Sequence, residues 1–337
     1  MAEQTSFQTI LDVLQDSKKE FPKRYLQQFS DIAPLELQTL LDIWPRLSLN
    51  RKLVLLDGFL TLMDSDTLVS FEDIGRALVQ LNDPEAEVRA RAIRLLAEAN
   101  DPKLVKPFIQ ILKNDPDLAP RMEAATLLGE FVLLGELEEL PENLHRDAEN
   151  ALMAIVSSDE ENISLRKLAL EAVGYSARAE VETLIQSAFN RSDPTWVASS
   201  LVAMGRSSDE QWAEQVLSML PNADPRIRLA AMQAAGELSI NAARPIILSM
   251  LLEGEEDEDD VIAAGIWSLS KIGGEDVRAF LVNMMDQTED EDLTAYLEEA
   301  LMNLDYTEEF ENFDLLTLDE DSLDLDEEEF VEEDDEE

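Results

Sequence analysis

The sequence predicts an all-α protein, a right-handed α-solenoid of about seven to eight helix pairs. Two observations predict this fold. A pattern written Val88-Arg89-x-x-Ala92-x-x-Leu95-Leu96-Ala97 in one copy returns along the chain, and strand patterns are almost absent. Its copies start at positions 88, 120, 165, 196, 227, 261 and 293, and most of the steps measure 31 to 34 residues. A period of this length is typical of stacked helical units that share one continuous core.

Each copy of the pattern places its apolar residues on one face of a helix, at i, i+4, i+7 and i+8. The columns of Ala92 and Ala97 hold small residues in most copies, including glycine at Gly129, Gly174 and Gly236. Glycine inside a helix costs about 1 kcal/mol relative to alanine, so its recurrence indicates close packing of neighbouring motif helices. A second apolar segment lies between successive copies, as in residues 105–112, and predicts the other helix of each pair.

On these residues the chain resembles HEAT-repeat proteins, and specifically the subclass called PBS-lyase HEAT-like repeats, over roughly residues 47–304. An acidic residue six positions before the motif arginine is a trait of that subclass, in which the two residue types form a ladder along the stack. The resemblance therefore implies a structural ladder made of Asp83, Arg89, Asp115, Arg121, Glu160 and Arg166. The ladder pattern lapses at Val197, Ile262 and Thr294, which predicts less regular repeats towards the C-terminus.

Three regions follow from the extent of the repeats. Residues 1–46 are helical in pattern but carry no clear repeat, and we expect them to cap the first repeat, since repeat arrays need such caps. Residues 47–304 form the repeat solenoid. The 45-residue step after position 120 predicts an insert near 131–144, where Gly135 and Pro141 interrupt the helical pattern. Residues 305–337 are expected to be a disordered acidic tail.

Charge is the second strong signal in this sequence. The net charge is -48, and 19 of the 33 residues from 305 to 337 are Asp or Glu. Such a density of like charge opposes a packed fold. Bulky apolar residues nevertheless interrupt the acids and are candidate partner-binding positions: Phe310, Phe313, Leu315 and Leu316. The tail therefore either serves only to keep the protein soluble or becomes ordered on a partner.

The composition lacks most of the residue types that the enzyme and metal sites considered would need. There is no cysteine and a single histidine, His145, which we expect on the surface. One histidine excludes the several His–Glu pairs of the di-iron hydroxylases among HEAT-like proteins, as well as the Ser-His-Asp, Cys-His and zinc arrangements considered. No catalytic residue, cofactor or metal site is predicted. Neither a signal peptide nor a membrane-spanning segment is visible, so a cytoplasmic location is the expectation.

Two columns of the motif helix lie outside its core face, those of Arg91 and Arg94. Most of their residues are polar, which indicates a partly solvated surface. The apolar members are candidate partner-binding residues, because aromatic and apolar anchors are favoured in protein interfaces: Leu168, Val202, Trp267 and Tyr296. The alternative is that these side chains are buried against neighbouring helices.

The sequence favours a non-enzymatic interaction scaffold that binds a protein or peptide, basic partners being the natural complement of its charge. Nucleic acid is disfavoured because phosphate contacts need clustered lysine and arginine. One alternative is an accessory subunit of a modifying enzyme, similar to the HEAT-like subunits that attach bilin chromophores. Another is an acidic mimic of nucleic acid that occupies a basic protein.

Overall fold

A computed structural model of the chain describes residues 6–16, 18–252, 256 and 258–314, with the backbone alone for 310–314. Within these residues every regular element is helical, which confirms the all-α class. Short 3₁₀ turns, the longest being Lys23–Phe29, separate some of the α-helices. The α-helices are α1 Phe7–Gln15, α2 Pro34–Ile43, α3 Leu49–Ser65, α4 Glu72–Leu81, α5 Ala86–Arg94, α6 Val105–Asn114, α7 Leu118–Glu136, α8 Glu142–Ser157, α9 Ile163–Val173, α10 Ala179–Phe189, α11 Pro194–Arg206, α12 Ala213–Met219, α13 Pro225–Glu237, α14 Arg244–Leu252, α15 Asp259–Ile272, α16 Glu275–Gln287 and α17 Glu291–Asp314.

The chain divides into two compact units, residues 1–234 and 235–337. In the first, the motif helices α3, α5, α7, α9 and α11 each contact the next one, and the intervening helices α4, α6, α8 and α10 each contact the motif helix that follows. In the second unit α14 and α16 contact α15 and α17 in the same way, and α15 contacts α17. Helix pairs stacked in this manner are the units of an α-solenoid. The right-handed path of the superhelix stays a prediction.

The small columns of the motif allow the motif helices to approach closely. Ala92, Ala124, Ala169, Ser200 and Ala231 are completely buried. An added Cβ at Gly174 would lie 2.8 Å from the Cα of Ala203, and one at Gly236 would lie 2.8 Å from the Cα of Ser268. In both cases the column of Ala97 faces the column of Leu95 in the following repeat. This contact fixes the register between successive motif helices.

Residues 1–46 pack against the first motif helix, α3. Leu11, Phe29 and Trp44 from this region share one apolar core with Phe59 of α3. The guanidinium of Arg51 donates hydrogen bonds to the carbonyl oxygens of Asp16, at 2.6 Å, and Lys19, at 2.5 Å. The region thus covers one side of α3, and its role as a cap stays a prediction.

The insert is not a broken segment as the sequence suggested. The extra residues lengthen α7 and α8, and α7 continues through Gly135 and ends at Glu136. Only residues 137–141 connect the two helices, and Glu138 adopts a left-handed conformation (φ 62°) after the end of α7.

The tail does not begin at residue 305, because α17 continues to Asp314. The first turns beyond 305 are packed: the hydroxyl of Thr307 donates to the carbonyl oxygen of Ser270 at 3.0 Å, and Arg278 pairs with Asp305 at 2.7 Å. Phe310 and Phe313 belong to the helical backbone of α17, and Leu315 and Leu316 lie outside the described residues.

Replacing Gly236 tests the close approach of motif helices in the second unit. Gly236→Leu should lower the free energy of unfolding by about 1–3 kcal/mol through overpacking against the backbone of Ser268. Gly236→Ala should also destabilise, although alanine is the better helix former. Denaturant unfolding measures both. Gln233→Leu, on the exposed side of the same helix, is the control. Melting of Gly236→Leu like the wild type would contradict the contact.

Candidate protein-binding surface

Acidic and basic residues do pair along the stack, but Arg89 and Arg121 pair with acids of the following repeat and not with those six positions before them. Arg89 forms two hydrogen bonds with the carboxylate of Asp115, at 2.7 and 2.8 Å, and a third with Asp117 at 2.8 Å. Its Nη1 atom donates to the carbonyl oxygens of Asp83 and Pro84, at 2.9 and 3.0 Å. The arginine therefore closes the loop before its own helix and also holds the next repeat.

The ladder pair that precedes Arg89 along the chain contains a lysine, Lys52, that sequence reasoning missed. The ammonium of Lys52 lies 2.6 Å from the carboxylate of Asp83, which also accepts a hydrogen bond from the indole of Trp44 at 2.9 Å. Lys52 takes the role of the motif arginine on α3, where no clear copy of the motif marks it in the sequence. Lys52 and Asp83 are both nearly inaccessible to solvent.

The ladder changes partners after Arg121. Arg121 contacts Glu161 at 2.6 Å, and Arg166 contacts Asp159 at 2.9 Å, so the exposed Glu160 is not the partner that the resemblance implied. At the following repeat the acidic position is occupied by Arg191. There the ring of Trp196 lies under the guanidinium groups of both Arg166, at 5.5 Å, and Arg191, at 4.1 Å. An aromatic face thus replaces the carboxylate as the partner of two cations.

Hydrogen bonds hold two of the ladder carboxylates in their ionised form. Burial raises the pKa of Asp115, but hydrogen bonds from Arg89 and from the backbone N–H of Asp117 outweigh it and hold that pKa below its ordinary value. Burial also raises the pKa of Asp83, where donors from Lys52, Glu85 and Trp44 produce the same net lowering. These carboxylates therefore stabilise the fold at neutral pH and lose that contribution in acid.

The two columns proposed for partner binding form a second ladder between repeats. The Arg94 column of one repeat meets the Arg91 column of the next. The pairs that show this are Asp57 with Arg91 at 2.5 Å, Arg94 with Glu123, Glu171 with Ser199, and Trp267 with Tyr296. The side chains of Asp57 and Arg94 are more than half exposed. The second ladder therefore combines contacts between repeats with an accessible surface.

Trp267 and Tyr296 form the aromatic rung of this second ladder. Their ring centroids lie 6.3 Å apart, and the hydroxyl of Tyr296 donates to the carbonyl oxygen of Ala263 at 2.9 Å. Burial and the nearby charge of Glu299 raise the pKa of this hydroxyl. Both side chains are half-buried. Part of each ring is thus used to join α15 to α17, and the other part faces solvent.

Leu168 and Val202 are also half-buried. They belong to the first unit, whereas Trp267 and Tyr296 belong to the second. The structure brings the two aromatic residues into contact. A single patch made of all four residues stays a prediction.

A more exposed apolar pair lies on α17 and was missed by sequence reasoning. Met302 is 59% and Tyr306 is 66% exposed, and they are one helical turn apart. The exposed acids Glu298, Glu299 and Glu309 fall on the same helical face by their spacing. We call these five residues the α17 patch. The signal in the sequence was the i, i+4 spacing, which the weak final copy of the motif obscured.

The arginines of this protein are engaged within the chain. Every arginine belongs to the described residues, and each guanidinium either donates a hydrogen bond to another group of the chain or stacks on one of its aromatic rings. The chain has 74 acidic residues against 26 basic ones. The charge left for external partners is therefore dominated by carboxylates.

A family model for HEAT repeats matches residues 76–151 and 213–302. These two regions carry HEAT repeats. The matched regions include part of each ladder: the pair of Arg89 and Asp115 from the first, and the pair of Trp267 and Tyr296 from the second. Membership of the PBS-lyase HEAT-like subclass stays a prediction.

Among solved structures, the chain is similar to the Escherichia coli protein YibA, with 12% identity and a TM-score of 0.43 over 86% of this chain and 99% of that one. It is also similar to an engineered protein, with 14% identity and a TM-score of 0.35 over 94% and 96% of the two chains. No curated protein matches. None of the described helices is long and apolar enough to cross a membrane.

Removing Arg89 tests the first ladder. Arg89→Ala should lower the free energy of unfolding by on the order of 3 kcal/mol at neutral pH, because Asp115 is left as a poorly solvated charge. This loss should shrink in acid, because burial without Arg89 raises the pKa of Asp115 in the variant and protonation then removes its uncompensated charge. Unfolding by denaturant at several pH values measures it. Arg226→Ala, which removes an exposed local pair with Asp224, is the control and should have little effect.

A double-mutant cycle tests the aromatic rung. Trp267→Ala and Tyr296→Ala should show a coupling of about 0.5–1.5 kcal/mol in unfolding free energy, as expected for a pair of aromatic rings. Tyr296→Phe keeps the ring and removes only the hydrogen bond to Ala263, so its effect should be additive with that of Trp267→Ala. Additive effects of the two alanine substitutions would show that the rings do not interact.

Proposed function

We propose that this protein is a non-enzymatic scaffold that binds a basic protein or peptide along the accessible surface of its repeats. The observation that carries this proposal is the engagement of every arginine inside the chain, which leaves a surface charge dominated by carboxylates. HEAT repeats generally mediate protein–protein interactions, and the fold is typically a scaffold without catalytic activity. A carboxylate-rich surface attracts a basic partner over the range of the Debye length.

The α17 patch is the part of this surface that we propose contacts the partner most closely. It presents two apolar side chains, Met302 and Tyr306, surrounded by acids. An interface needs both features, because apolar burial provides affinity and charge provides orientation and a fast encounter. A segment with alternating basic and apolar residues has the complementary composition. The half-exposed Trp267 and Tyr296 offer further aromatic anchors.

Nucleic acid and membrane surfaces fit this surface poorly. Both carry negative charge, and binding them requires basic side chains that are free to contact phosphate. The arginines are engaged within the chain, and the net charge of -48 repels polyanions. A cytoplasmic location stays a prediction from the sequence.

The proposal is tested by affinity capture from the native cell extract at two salt concentrations. We expect a partner with a basic surface, held more weakly as the Debye length shrinks from about 10 Å at 0.1 M salt to about 3 Å at 1 M. Met302→Ser/Tyr306→Ser leaves the charge unchanged and should reduce the binding that survives high salt. Leu35→Ser is the matched control, because Leu35 is an exposed apolar residue that is far from α17 in the sequence. A stoichiometric enzyme subunit in place of a basic partner would favour the accessory-subunit alternative.

Two truncations separate the packed and the acidic parts of the C-terminus. Removing residues 305–337 should lower the melting temperature, because the contacts of Arg278 with Asp305 and Glu308 and of Thr307 with Ser270 are lost. Removing only residues 315–337 should leave it nearly unchanged and alter capture of the basic partner at low salt. Thermal melting and capture are measured on both. Equal melting of the two truncated forms would contradict a structural role for residues 305–314.

A further inference from the structure

The helices lengthened by the insert, α7 and α8, bring the single histidine between two carboxylates. Nε2 of His145 lies 3.5 Å from Oε1 of Glu136 and 3.7 Å from Oε1 of Glu149. All three atoms lie within 4.8 Å of one another. His145 is not the surface residue that the sequence suggested: its side chain is only 16% exposed. The cluster is unrelated to either ladder.

The position of the imidazole is fixed by the absence of a side chain at residue 135. A Cβ on Gly135 would lie 2.2 Å from Cγ and 2.3 Å from Cδ2 of His145. The ring therefore rests on the backbone of the last turn of α7. Its Nε2 atom is completely buried and has no hydrogen-bond partner within the chain. A buried polar atom without a partner is costly, which indicates that a further group belongs at this position.

The distances around Nε2 suit a shared metal ion better than direct hydrogen bonds. An N–H···O hydrogen bond spans about 2.7–3.2 Å. Two ligands bound to one zinc ion at about 2.0–2.2 Å in tetrahedral geometry are about 3.3–3.6 Å apart. The separations of 3.5 and 3.7 Å are close to the second range.

One loop orients both carboxylates, as the outer groups of a metal site do. The backbone N–H of Ala177 donates to Oε1 of Glu136 at 3.0 Å. The hydroxyl of Ser176 donates to Oε1 of Glu149, and Arg178 lies 3.4 Å from Oε2 of the same carboxylate. Each carboxylate oxygen has a second lone pair left for a cation. Glu149 is 3% exposed, and Arg178 is a cation of the chain that faces its charge.

We propose that Glu136, His145 and Glu149 bind one divalent transition-metal ion, with zinc as the representative ion. An imidazole favours such an ion over Mg²⁺ and Ca²⁺, which prefer sites made of oxygen atoms. Three protein ligands leave a coordination position for water or another small ligand. That position faces a pocket of about 600 Å³ whose lining includes Glu142, Arg146 and Asn150.

Zinc binding to the full-length protein tests this site. Titration calorimetry in excess Mg²⁺, which occupies sites made of carboxylates alone, should show one zinc ion bound per chain. His145→Gln and Glu136→Gln should abolish this stoichiometric binding. Glu142→Gln, at an exposed residue of the same pocket, should retain it. Equal zinc binding by wild type and His145→Gln would overturn the proposal.

A second set of measurements guards against variants that fail to fold. Co²⁺ bound to the wild type should give visible absorption bands characteristic of nitrogen and carboxylate ligands, and these bands should be absent in His145→Gln. Ser176→Ala removes the hydroxyl that donates to Glu149 and accepts from the backbone N–H of Arg178. It should weaken zinc binding by roughly 10–100-fold. The circular-dichroism spectrum of each variant verifies its helical content. Zinc affinity that is unchanged in Ser176→Ala, or Co²⁺ bands that persist in His145→Gln, would contradict this site.

Discussion

The contact on which the rest of the structure depends is the close approach of successive motif helices. Gly174 against Ala203, and Gly236 against Ser268, leave no room for an added Cβ between the two backbones. Because this contact sets how each motif helix is displaced relative to the next, it also decides which other side chains meet. The Arg94 column faces the Arg91 column of the following repeat, and the motif arginine reaches the acidic residue of that repeat. Both ladders are consequences of one register.

The same ladders shape the external electrostatics. Guanidinium groups such as those of Arg89 and Arg121 bind carboxylates and backbone carbonyl oxygens. Where the acidic position of the motif is lost, two further guanidinium groups stack on the ring of Trp196. Each basic group used in this way is removed from the surface available to a partner. A chain with a net charge of -48 therefore presents its carboxylates outward. The α17 patch adds the exposed apolar side chains that a purely acidic surface would lack.

The insert shows how a departure from the repeat can produce chemistry that the repeat lacks. Additional turns on α7 and α8 carry Glu136, His145 and Glu149 to one place, and the loop that contains Ser176 orients the two carboxylates. None of these positions belongs to a motif column. Loss of the regular spacing between repeats thus coincides with the gain of a polar cluster.

The sequence by itself determined the helix pairs, the motif helices and their small buried columns. Helical periodicity is a local property of the chain, and the motif shows the same periodicity in every repeat. The resemblance to HEAT-like repeats also implied pairing of acidic with basic residues along the stack. Only the tertiary structure decided which repeat each partner comes from, as with Arg89 and Asp115, since that depends on the displacement between helices. The role of Gly135 was equally hidden: in the sequence it is a helix breaker, whereas in three dimensions it makes room for the ring of His145. Contacts between residues of different helices are fixed by packing, and a single sequence shows packing only where it repeats.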